Sequence, residues 1–185
     1  MNPPARQLYL VRHGQCEFNA EGRVAGQLDS SLTVLGFEQA GSAAERLADS
    51  GARYLFTSDL GRAVQTAEVI GRRLGLEPRL DPDLREQHLG DMQGRLTRDL
   101  HALESPAGVH INSVRWGGGE SIVDLYGRVA RFFGRLAGLP PGPAIIVSHE
   151  HTIHVADAYL RGAGPLDIDW AELPNGGILT RVLAA

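Results

Sequence analysis

The chain has 185 residues, of which 43% are hydrophobic and 22% are charged, a composition typical of one globular domain with a sizeable core. Its net charge of −4 at pH 7, without a basic cluster, argues against a nucleic-acid partner. All 18 basic residues are arginine, which excludes lysine nucleophiles, Schiff-base lysines and a P-loop lysine. Cys16 is the single cysteine, so an internal disulfide and a cysteine metal cluster are excluded. Anions must therefore be bound by arginine, histidine or backbone N–H groups.

The first residues show no signal-peptide pattern, and the apolar run that follows them is too short to span a bilayer. We therefore expect a cytoplasmic protein without a membrane partner.

Predicted strands and helices alternate along the chain. Apolar runs of strand length occur at residues 8–11, 54–57, 144–148 and 177–183. Helical periodicity predicts helices over 38–49 with Thr33 as N-cap, from a cap at Ser58 or Asp59 to Leu74 before Gly75, over 121–136, and from His149 to about Leu160. This alternation predicts a three-layer α/β/α fold with a mostly parallel central sheet.

We expect residues 1–185 to form a single domain, because the Pro/Gly clusters at 138–143 and 162–165 are too short for linkers. Residues 87–120 are glycine-rich and irregular. They are a candidate lid over the site.

Four element boundaries carry groups that could bind an anion or transfer a proton. Arg12 and His13 end the first predicted strand, and His149 ends the strand at 144–148. Arg62 lies in the first turn of a predicted helix, and Glu86 precedes a loop. Open α/β sheets bind ligands at the carboxyl ends of their strands, so two strands that both end in histidine predict a site there.

These boundaries belong to motifs that occur in a specific order and cover nearly the whole chain. They are Arg12-His13-Gly14 with Asn19, Gly26 to Thr33, Ser58 to Ala67, Leu84-Arg85-Glu86 with Gly90 and Gly94, Gly118 to Ser121, and Val147-Ser148-His149. As a set they resemble the histidine phosphatase superfamily, also called the phosphoglycerate mutase-like family.

The resemblance implies a role for each matched residue. His13 would attack phosphorus and form a phosphohistidine, while Arg12, Arg62 and His149 surround the phosphate oxygens. Glu86 would protonate the leaving oxygen and then activate water. The set of phosphate- and substrate-binding residues is completed by Asn19, Gly26, the N–H of Glu150, and His151. The cationic site could replace a metal ion, so no metal and no cofactor are expected.

Two positions depart from the family pattern. Cys16 stands where many relatives have a small hydroxyl residue, and it is either a small buried side chain or an alternative nucleophile. Glu150 and His151 replace small residues after His149. They either line the substrate pocket or, through His149 and His151, form a metal site, and His154 is expected to be structural.

Hydrolysis is favoured over phosphoglycerate mutase activity. Leu89 occupies the position of a tyrosine in the cofactor-dependent mutases, and the lysine of those enzymes has no counterpart here. The resemblance therefore implies a compact phosphatase acting on a small phosphate ester. A mutase and a non-catalytic phosphate-binding module are the alternatives, and a homodimer is left open.

Overall fold

The computed structural model describes residues 5–100 and 104–184, whose strands form one five-stranded sheet in the order β3-β2-β4-β1-β5. The strands are β1 (Arg6–Arg12), β2 (Tyr54–Thr57), β3 (Pro78–Leu80), β4 (Ala144–Ser148) and β5 (Ile178–Leu183). Strand β5 runs antiparallel to β1, and the other neighbouring pairs are parallel. The predicted mostly parallel sheet is confirmed.

Helices cover both faces of the sheet. They are α1 (Glu17–Ala20), α2 (Val34–Arg46), α3 (Gly61–Leu74), α4 (Thr97–Leu100), α5 (Ile122–Ala137) and α6 (Glu150–Leu160). The apolar stripe of α5 packs with α6 on one face of the sheet, where Phe132 and Ile146 are buried. Buried residues of α2 and α3, such as Ala43 and Ile70, pack on the other face. The three-layer arrangement predicted from the sequence is therefore confirmed.

The two central strands bring the two histidines together. Strands β1 and β4 pair in parallel with Arg12 opposite Ser148, and the N–H of His13 donates to the Ser148 carbonyl at 3.0 Å. His13 and His149 consequently leave the sheet side by side at its carboxyl edge. Their rings lie 5.1 Å apart in an edge-on arrangement.

Helix α2 begins and ends earlier than the predicted span 38–49. Thr33 caps it as predicted, because its Oγ1 accepts from the N–H of Gly36 at 3.1 Å. The helix ends at Arg46, and residues 47–49 form a turn before Gly51, whose φ of 62° favours glycine.

Helix α3 is not capped by Ser58 or Asp59, and this prediction was wrong. The N-cap is Leu60, whose own N–H donates to Ser58 Oγ at 3.2 Å. The helix thus begins after both polar residues. Asp59 instead accepts from Arg85 Nε at 2.7 Å.

Residues 87–120 contain only short elements where the structure describes them. Beside α4 there are 3-10 turns at Gly90–Met92, Ile111–Ser113 and Trp116–Gly118. Part of the candidate lid, 101–103, lies outside the described residues, as do residues 1–4 at the N-terminus. Within 5–100 and 104–184, no helix is long and apolar enough to cross a bilayer.

Candidate active site

A pocket of about 310 Å³ opens at the carboxyl edge of β1 and β4. It is lined by Arg12, His13, Asn19, Arg23, Val24, Ala25, Gly26, Arg62, Glu86, Leu89, Thr97, Leu100, Glu150 and His151. Strand ends, the start of α6 and the 87–100 segment thus contribute to one concave surface.

His13 presents the unprotonated nitrogen of its ring to a cation. Its Nδ1 lies 2.6 Å from the Gly14 carbonyl, which can only accept, so Nδ1 carries the hydrogen. Its Nε2 is therefore the unprotonated nitrogen, and it accepts from Arg62 Nε at 3.2 Å. The ring is only 4% exposed, so its orientation is held by its surroundings.

Both histidines are neutral in the free protein. Burial, followed by the charges of Arg62 and Arg12, holds the pKa of His13 well below its usual 6.5. Burial, followed by Arg62 and the neighbouring His13, lowers the pKa of His149 in the same way. Neutral imidazole is the nucleophilic form, so His13 is available for attack below neutral pH as well.

The depressed pKa values predict acid-sensitive stability. The unfolded chain binds these two protons near pH 6.5 and the folded chain does not, so the free energy of unfolding falls as pH drops below about 6.5. Each imidazole contributes a slope of about 1.4 kcal/mol per pH unit within this window. In urea titrations from pH 7 to 5, His149→Gln should lose less stability than the unmodified chain. Parallel curves for the two proteins would contradict this.

Arg62 is buried and positioned by backbone carbonyls. Its Nη2 donates to the Gly26 carbonyl at 2.7 Å and its Nη1 to the Leu28 carbonyl at 3.0 Å. Gly26 has a φ of 52°, and a Cβ there would collide with the side chain of Gln93. The structure thus places Gly26 in the pocket wall as a support for Arg62.

Arg12 and His149 carry unpartnered polar atoms. Arg12 Nη2 forms an ion pair with Glu150 Oε2 at 2.9 Å, and its Nη1 donates to the Leu173 carbonyl. Within the described part of the chain, Arg12 Nε and both ring nitrogens of His149 are buried without hydrogen-bond partners. Buried polar groups without partners are costly, by about 1–3 kcal/mol each. Such a cost is typical of a site organised for a ligand.

Glu86 lies against the N-terminus of α6. Its Oε2 is 3.4 Å from the N–H of His151, and its Oε1 accepts from Thr152 Oγ1 at 3.3 Å. Oε1 also accepts from the N–H of Gln87 at 2.9 Å. These contacts hold the carboxyl group in the same pocket that His13 lines from the end of β1.

Arg128 of α5 anchors the segment that carries Glu86. Its guanidinium donates to the carbonyls of Asp83, Arg85 and Glu86 at 2.8–3.1 Å. It also forms an ion pair with Glu120, whose Oε2 accepts from the His88 N–H. The side chain of Arg128 is only 10% exposed. One cation therefore fixes the backbone on both sides of Glu86.

Arg128→Met is expected to lower the free energy of unfolding by about 3 kcal/mol, because Glu120 and the backbone carbonyls lose a largely buried partner. Arg131 of the same helix offers a matched control. Its pair with Asp83 is exposed, so Arg131→Met should cost less than about 1 kcal/mol. Chemical denaturation of both variants measures the difference, and equal costs would refute the anchoring role.

Asn19 is oriented by two neighbours. Its Oδ1 accepts from the Cys16 N–H at 3.2 Å and from Asn175 Nδ2 at 3.3 Å, which leaves its own NH2 group to donate. Cys16 is fully buried, and its Sγ donates to the same oxygen at 3.1 Å. Donation requires the protonated thiol, which is not the nucleophilic form.

His151 lies at the edge of the pocket. Its Nδ1 is 2.9 Å from Gln87 Oε1, and its ring packs edge-on against Trp170 at 5.2 Å. His154, one turn later, also packs on Trp170. Among the residues that the structure describes, no group of three or more His, Cys, Asp or Glu side chains could hold a metal ion.

The structure brings the predicted site residues together: Arg12, His13, Asn19, Gly26, Arg62, Glu86, Glu150 and His151 line this pocket, and His149 lies behind it, packed against His13. Sequence reasoning missed the pairing of Arg12 with Glu150 and the supports Arg128 and Asn175. Arg128 has the sequence signature of an ordinary surface arginine on an amphipathic helix, and Asn175 lies in a loop without a motif.

Known proteins of one family resemble this chain in sequence and in fold. The profile of the histidine phosphatase superfamily (branch 1) matches residues 8–182. A glucosyl-3-phosphoglycerate phosphatase of Mycolicibacterium vanbaalenii is 38% identical over 183 residues, covering 93% of this chain and 80% of that protein. A probable phosphoglycerate mutase of Serratia proteamaculans is 39% identical, with 77% and 69% covered. The native structure of a mycobacterial glucosyl-3-phosphoglycerate phosphatase superposes with a TM-score of 0.81 at 33% identity, covering 96% of this chain and 90% of that one.

Proposed function

Because this chain belongs to the histidine phosphatase superfamily (branch 1), we propose that it hydrolyses a small phosphomonoester through a phosphohistidine formed on His13. The family predicted from the sequence motifs is confirmed, and with it the phosphatase class of enzyme. Several similar proteins are named glucosyl-3-phosphoglycerate phosphatases, which supports a small phosphorylated substrate. The mutase alternative is not favoured.

In the first step, Nε2 of His13 attacks phosphorus as the bond between phosphorus and the leaving oxygen breaks. Arg12 and Arg62 neutralise the charge on the phosphate oxygens, and the ring N–H of His149, Asn19 and the N–H of Glu150 donate hydrogen bonds to them. The leaving oxygen takes the proton of the Glu86 carboxyl group and departs as an alcohol.

In the second step, the Glu86 carboxylate removes a proton from a water molecule that attacks the phosphohistidine. The bond between phosphorus and Nε2 breaks, so inorganic phosphate is formed and neutral His13 is regenerated. Glu86 recovers its proton, and the cycle is balanced. One carboxyl group serves both steps because it alternates between acid and base.

The observation that carries the proposal is the contact between His13 and Arg62. Nε2 of the neutral His13 ring lies 3.2 Å from Nε of the buried Arg62. The nucleophile is therefore next to the positive charge that would bind the phosphate group. Because no step needs a metal ion, we propose a metal-independent reaction in which arginine and histidine supply the electrostatic stabilisation.

A panel of phosphomonoesters, assayed with and without a chelator, tests this proposal. We expect release of phosphate at an unchanged rate in the chelator, and no interconversion of 2- and 3-phosphoglycerate. Activity that is lost with chelator and restored by zinc would instead support a metal site at His149 and His151. Tight phosphate binding without turnover across the panel would support the non-catalytic module.

The single domain over 1–185, the lid role of 87–120, a homodimer and a cytoplasmic location stay predictions. Limited proteolysis with and without phosphate tests the first two. Sedimentation and cell fractionation test the others.

A further inference from the structure

A second cavity, of about 240 Å³, adjoins the phosphate pocket. Leu89, Leu100 and His151 line both cavities, so the two are neighbours that share a wall. The second cavity takes no part in the phosphoryl chemistry described above, and its walls differ sharply from the arginine-rich first pocket.

The walls of the second cavity are apolar and aromatic. Trp116, Trp170, Ile111 and Ile122 line it, and none of its described lining residues is Asp, Glu, Lys or Arg. Its two amide side chains already donate elsewhere, Gln87 to the Glu120 carbonyl at 2.8 Å and Asn112 to the Pro165 carbonyl at 3.0 Å. The cavity therefore offers little to a charged or strongly hydrated group.

The direction of the leaving group connects the two cavities. Glu86, the proposed acid, lies 3.4 Å from the backbone N–H of His151, which borders the second cavity. The oxygen that Glu86 protonates must lie close to its carboxyl group. Because His151 lines both cavities, a group attached to that oxygen can extend from the phosphate pocket into the second cavity.

We propose that the second cavity binds the alcohol part of the substrate and selects an uncharged, apolar ring. This inference rests on the proposed function and adds the substrate class to it. An apolar cavity of about 150 Å³ is large enough to hold benzene, so 240 Å³ accommodates a ring and its substituents. Trp116 and Trp170 provide the flat faces that such a ring contacts.

Ethyl phosphate and benzyl phosphate test this selectivity, because both release a primary alcohol of similar basicity and differ in the ring. We expect kcat/KM to be about tenfold or more higher for benzyl phosphate, as one or two aromatic contacts would give. Trp170→Ala should remove most of this preference by lowering kcat/KM for benzyl phosphate alone. Trp170→Phe should restore part of it, and 3-phosphoglycerate should be a poorer substrate than benzyl phosphate.

Val182→Ala is a suitable control, because Val182 is half exposed and pairs with Gln7 at the opposite end of the sheet. It should leave both values of kcat/KM unchanged. Equal rates for ethyl and benzyl phosphate would overturn the inference while the proposed function stands. Failure to hydrolyse any ester would refute the proposed function itself. Trp170→Ala could instead alter the oligomeric state and leave the preference for benzyl phosphate intact. That result would identify the aromatic walls as a contact between copies of the chain and would also overturn the inference.

Discussion

Replacing His13 with alanine is expected to lower kcat/KM by about 10⁴-fold or more, since loss of a covalent nucleophile leaves only binding and charge stabilisation. The effect should be catalytic and not structural. The His13 side chain contacts the Gly14 carbonyl, Arg62 and the ring of His149, and none of these contacts belongs to the apolar core. Initial rates over a range of substrate concentrations measure the loss, and circular dichroism checks the fold.

His110→Ala provides a control for the loss of a histidine, because His110 is exposed and lies outside the residues that line the pocket. It should retain the rates of the unmodified protein. A His13→Ala variant that folds normally and retains turnover would show that another group attacks phosphorus.

Replacing Glu86 with glutamine is expected to lower kcat by about 10²–10⁴-fold for an alkyl phosphate, the usual contribution of a general acid–base group. Glutamine retains the size of the side chain, and its one oxygen can still accept from Thr152 Oγ1 at the position of Oε1, while its NH2 group takes the position of Oε2. The variant therefore separates proton transfer from packing.

The choice of leaving group separates the two roles of Glu86. With p-nitrophenyl phosphate the leaving group needs no acid, so the first step should survive in Glu86→Gln while hydrolysis of the phosphohistidine stays slow. Stopped-flow absorbance should then show a burst of about one p-nitrophenolate per active site. A steady-state rate equal to that of the unmodified protein would show that Glu86 does not act as the base in the second step.

The central strands and the nucleophile could be predicted from local sequence because their signals are local. β1, β2 and β4 are short apolar runs, and burial on both faces makes such runs distinctive. α5 begins at a capping box in which Ser121 and Asp124 satisfy each other's backbone, a pattern that can be read from four residues. The three residues of β3 begin with proline and carry no such signal.

The supports of the site depend on contacts between distant parts of the chain. Arg12 faces Glu150 only because β1 and β4 are neighbours, and neither residue indicates the other in the sequence. Burial of Arg128 likewise depends on how α5 packs against the segment before Glu86. The residues proposed to react with the phosphate group can therefore be recognised from local motifs, whereas the residues that position them depend on tertiary packing.

The most direct test of this account is to locate the phosphoryl group on the enzyme. Glu86→Gln is mixed with p-nitrophenyl phosphate, quenched in alkali and digested, and the peptides are analysed by mass spectrometry. We predict one phosphoryl group on His13, stable in alkali and lost in acid, and none in the double variant that also carries His13→Ala. A phosphoryl group on Cys16, or full burst kinetics in the double variant, would contradict the proposed mechanism.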